Sequence, residues 1–93
     1  MIIGTLEVKL HAPYVHSLKE KRMIVRSLLA RIRNKFNVSA CEVDEQDLHQ
    51  IIVIGLAAVA NNTRDCDHLL DTLIEFIQCN EEAQLVDVFR EIL

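Results

Sequence analysis

The stretch Ser17 to Phe36, SLKEKRMIVRSLLARIRNKF, reads as one long amphipathic helix with a defined beginning. Ser17 followed three residues later by Glu20 is a capping box, in which hydroxyl and carboxylate each satisfy a backbone N–H that the first turn leaves unpaired. Helix formers then continue without Gly or Pro to Phe36, and Asn37 is the stop. At roughly 100° per residue, Leu18, Val25, Leu28, Leu29, Ile32 and Phe36 share one face, which is therefore expected to be buried. Lys19, Arg22, Arg26 and Arg33 line one flank of that face; Lys21, Arg31 and Lys35 lie toward the other. Seven cations accompany a single carboxylate, Glu20.

The segments on either side set this helix in a sheet. Before it, Ile2 to His11 alternates, with Leu6, Val8 and Leu10 on one side and Thr5, Glu7, Lys9 and His11 on the other, as in a strand covered on one face. Ala12-Pro13 ends that strand, because the ring removes a donor and restricts the residue before it. After the helix, Val38 to Val43 is a second strand, and the polar connection Asp44 to Gln50 leads to Ile51 through Ala60. This third strand is apolar at both parities and is expected to be central and covered on both faces. Asn61-Asn62-Thr63 caps a second helix, buried through Leu69, Leu70, Leu73, Phe76 and Ile77 and wet through Asp67, Asp71 and Glu75. Leu85 to Ile92 is a fourth strand with Val86, Val88 and Ile92 inward; Leu85 and Phe89 then fall on the outer face. The order β-α-β-β-α-β predicts an α+β, ferredoxin-like sandwich: a four-stranded antiparallel sheet with both helices on one face. Another α+β sandwich of the same elements is the alternative.

With 93 residues, 51% of them hydrophobic, the chain is expected to form one domain, residues 1–93. Its net charge of −4 hides a strong segregation. Seven cations against one carboxylate put residues 17–36 at +6, and three cations against thirteen carboxylates put the remainder at −10. Polyanion affinity follows local potential, so an acidic total does not exclude it. Three cysteines without a CxxC pair fit reduced thiols packed in a cytosolic protein. No cationic segment precedes an apolar run at the N-terminus, and Ile51 to Ala60 is about half the length that spans a bilayer. A cytoplasmic protein with no membrane contact is expected.

Several uses of such a scaffold lack their residues. RNA-recognition motifs stack bases on aromatic side chains of the central strands, and the predicted first and third strands have none. Gly4 and Gly55 are too far apart for a GxxG loop, and the thiolates are too scattered for a metal site. A phosphate-cradling loop after the first strand would need glycine or arginine, which His11 to His16 lacks. His16 beside Ser17 lacks an orienting carboxylate, and Ser17 is engaged as a cap. Glu42, Asp44, Glu45 and Asp47 match no metal loop and read as a solvated connection. No catalytic residue, metal or cofactor is expected. The basic helix remains: Lys19, Lys21, Arg22, Arg26 and Arg33 are the candidate nucleic-acid-binding residues, unless the Glu42 to Asp47 connection neutralises them.

The segments His16-Ser17-Leu18-Lys19-Glu20-Lys21-Arg22 and Arg33-Asn34-Lys35-Phe36-Asn37-Val38-Ser39, with Glu42, Asp47, Val86-Asp87-Val88 and Arg90-Glu91-Ile92, carry a further signal. Across nearly the whole chain they resemble the bacterial YlxP-like family of small proteins of unknown function. The resemblance implies a ferredoxin-like fold and no established enzymatic activity. The translation and ribosome-maturation genes that accompany the family imply RNA or the ribosome as partner. A non-enzymatic RNA- or ribosome-associated factor is the expectation, and a self-associating or protein-binding module using the open sheet face is the alternative.

Overall fold

A computed structural model describes residues 1–93. The elements follow the expected order: β1 (Ile2–His11), α1 (Leu18–Lys35), β2 (Ser39–Asp44), β3 (Ile51–Ala60), α2 (Thr63–Gln78) and β4 (Gln84–Ile92). The four strands form one antiparallel sheet in the order β2-β3-β1-β4, with α1 and α2 packed on one face. This is the ferredoxin-like α+β arrangement, and β1 and β3, the most apolar strands, occupy its centre.

Period-two patterning explains the core. Leu6, Val8 and Leu10 of β1 lie opposite Leu56, Ile54 and Ile52 of β3, and all six are buried beneath the helices. Val25, Leu28, Leu29 and Ile32 of α1 and Cys66, Leu70, Leu73 and Ile77 of α2 close over them. Burying side chains of this size stabilises the fold by about 1.5–3 kcal/mol each before the entropy cost of ordering them. Phe36 and Phe76 join the far ends of the two helices edge to face, their centroids 5.4 Å apart.

Three expectations need correction. The third strand is central but covered on both faces only in part: on the face away from the helices Val53 is still buried, whereas Ala57 and Val59 are exposed and Gly55 keeps the surface low. In β4, Val86 points to solvent and Leu85 inward, the reverse of the simple alternation. The cause is a bulge, because Lys9 pairs with Asp87 and Leu10 with Leu85, leaving Val86 without a partner. Finally, only Cys66 packs in the core, whereas Cys41 and Cys79 are exposed thiols.

Candidate polyanion interface

Helix α1 starts where the sequence places its cap. The Ser17 hydroxyl accepts the Glu20 N–H at 3.1 Å, and the Phe36 N–H closes the far end on the Ile32 carbonyl. The reciprocal half of the capping box is not made; Glu20 instead stands near Tyr14. The phenol of Tyr14 donates to the Glu82 carbonyl. Its pKa is raised above 10.0, chiefly by desolvation and further by the carboxylates of Glu82 and Glu20, which disfavour a phenolate.

The seven cations of α1 separate into distinct environments. Lys21 does not belong to the surface set: it is 1% exposed, and its ammonium donates to the carbonyls of Glu45 and Leu48 at 2.6 Å each. Its charge is met by Glu42 Oε2 at 2.9 Å. That oxygen makes no aligned hydrogen bond, so the contact is an ion pair held by proximity. Glu42 can reach it because its partner Ile54 sets it on the helix-facing parity of β2. The connection after β2 bends to bring its carbonyls to the ammonium, and Glu45 adopts a left-handed φ of 56°. Lys21 is thus a clip between α1 and the β2–β3 connection, and its candidacy as a phosphate contact is withdrawn.

Two other cations also have partners. Arg31 pairs with Glu82 at 3.0 Å, and Lys35 lies over the Phe76 ring, 5.1 Å from its centroid. Arg33 is exposed, but one of its nitrogens donates to the Ala40 carbonyl on edge strand β2. Such a contact occupies an edge group that another strand could otherwise pair with.

Lys19, Arg22 and Arg26 are exposed and form no intrachain ion pair. With Arg33 they make a row along one flank, about 21 Å from end to end at 1.5 Å per residue. Glu42 neutralises the buried lysine, while Asp44, Glu45 and Asp47 pair with none of the arginines. Met23, also exposed, borders a hollow with Tyr14, Glu20 and Glu82.

The model of a family described as "Protein of unknown function (DUF503)" matches residues 3–90. The chain belongs to the DUF503 family. It is similar to the "Uncharacterized protein YlxP" of Bacillus subtilis (strain 168), with 38% identity over 68 residues, 73% of this chain and 74% of that one. The DUF503 match runs from β1 to β4 and so includes α1 and the connection that Lys21 engages.

The sequence points to the Glu42 to Asp47 connection as a neutraliser of α1 but does not single out Lys21 as the cation it meets, and the clip made by Arg90 was missed. Glu42 has the parity to face the helices, but the carbonyls that complete the Lys21 site belong to a loop whose path no periodicity encodes. Arg90 of β4 holds the acidic side of α2, donating to Asp71 at 2.6 Å and Asp67 at 3.1 Å. The hydrogen bond to Asp71, foremost, raises the arginine's pKa further and keeps it charged. A lone arginine among apolar strand residues, with carboxylates four apart on a neighbouring helix, was the available sign.

Proposed function

We propose that this protein is a non-enzymatic, cytoplasmic binding factor that docks α1 on the phosphate backbone of RNA, in the ribosome or in free structured RNA. The observation that carries the reading is the row Lys19, Arg22, Arg26, exposed and without intrachain carboxylate partners, continued by Arg33. Guanidinium forks suit phosphate oxygens, and a rigid helix presents them at fixed spacing. Such contacts position a protein on a backbone without reading its sequence. The buried Lys21 clip supports the role indirectly, by fixing the rotation of the N-terminal half of α1 that bears the row.

Fluorescence anisotropy with a labelled RNA hairpin tests this. The wild-type protein should bind at low salt, and Arg22→Glu with Arg26→Glu should abolish binding while leaving the circular dichroism spectrum unchanged. A folded double variant that binds as well as wild type would remove the helix from the interface.

A further inference from the structure

The sheet face away from the helices has its own chemistry. Thr5, Glu7, Ser39, Cys41, Val43, Gly55, Ala57 and Phe89 border a groove of about 420 Å³, with Gly55 and Ala57 as its low floor. Phe89 stands at its side, 65% exposed although it is a large aromatic residue in mid-strand. On the other side of Phe89, a smaller hollow of about 150 Å³ is lined by Glu7, Asp44, Glu45 and Asp87, with Lys9 among them. None of these four carboxylates has an intrachain ion pair, and neither does Lys9. The apolar groove and the acidic hollow share Glu7 and Phe89, so they form one continuous surface.

We propose that this open face docks a cationic, apolar segment of a partner protein: aliphatic side chains enter the groove while a neighbouring lysine or arginine enters the hollow. Charge complementarity selects this occupant. Four carboxylates against one lysine repel nucleic acid, and a second copy laid face to face would set acid against acid. An incoming guanidinium gains both the carboxylates and the exposed Phe89 ring, which attracts a cation over its face. The surface is separate from α1, which lies on the opposite side of the sheet, so RNA and protein could be held together.

A short capped peptide alternating arginine with leucine serves as the probe, with its glutamate-for-arginine counterpart as control. Calorimetry should show that the cationic peptide binds and the acidic one does not. Phe89→Ala, or Glu7→Lys with Asp87→Lys, should weaken binding about tenfold or more. Arg22→Ala with Arg26→Ala should leave it unchanged, which separates this surface from the RNA reading. Cys41 lies in the groove and Cys79 outside it, both exposed. Bound peptide should therefore slow alkylation of Cys41 and not of Cys79. No binding at millimolar peptide, equal binding of the acidic peptide, or equal binding by the folded face variants would overturn the proposal. So would peptide-free self-association that shields Cys41, because the face would then belong to a second copy.

Discussion

The ammonium of Lys21 and the carboxylate of Glu42 lie 2.9 Å apart beneath the first turns of α1, the lysine closed off from solvent and the glutamate half-buried with its Oε2 inside. Removing one partner of such a pair strands the other charge in a poorly hydrated site. Lys21→Met should therefore cost about 3 kcal/mol, a large share of the ~5–14 kcal/mol expected for a domain this size. Glu42→Leu added to Lys21→Met should recover part of the loss. The carbonyls of Glu45 and Leu48 still lack their donor in the double variant, so recovery is incomplete. Urea unfolding of the two single variants and the double variant measures the coupling.

Gly4 faces α2 so closely that a methyl group there would collide with the Cys66 sulfur and sit 3.3 Å from Leu70 Cδ1. The Cys66 side chain is fully buried and cannot swing into water. Gly4→Ala should destabilise by about 1–3 kcal/mol through overpacking. Cys66→Ala, harmful alone because it leaves a small void, should relieve part of the Gly4→Ala penalty. Additive losses in thermal denaturation would show that the two sites do not touch.

Tyr14 is the only tyrosine, and the chain has no tryptophan, so its titration can be followed without interference. Its near-ultraviolet difference absorbance should show a midpoint above 10.0 in the native protein, raised by desolvation and by the Glu82 and Glu20 carboxylates. The fold favours the protonated phenol. The stabilisation it provides is thus fully present below the unfolded-state pKa and is lost as pH rises through the native midpoint. Glu82→Gln should lower that midpoint, and a native midpoint at or below the free-tyrosine value would contradict the assignment.

Much of this architecture is legible in residue spacing, for physical reasons. Leu6, Val8 and Leu10 alternate because β1 is covered on one face, and Val25, Leu28, Leu29 and Ile32 recur at helical spacing because α1 is part of that cover. Parity fails where a bulge inserts a residue, which is why Val86 and Leu85 exchange places. The helical wheel likewise cannot distinguish Lys21 from its neighbours, since what buries it is a loop more than twenty residues away. The expected competition between α1 and the Glu42 to Asp47 connection is real but local. It engages one lysine and leaves Lys19, Arg22 and Arg26 unpaired.

The most direct test of the helix-on-phosphate account is the salt dependence of RNA binding. With three to four phosphates engaged, log affinity against log salt should have a slope of about −3, because each neutralised phosphate releases roughly 0.7–0.9 of a counterion. Arg22→Ala with Arg26→Ala should bring that slope about 2 closer to zero. A wild-type slope near zero, or one unchanged by removing both arginines, would contradict the account.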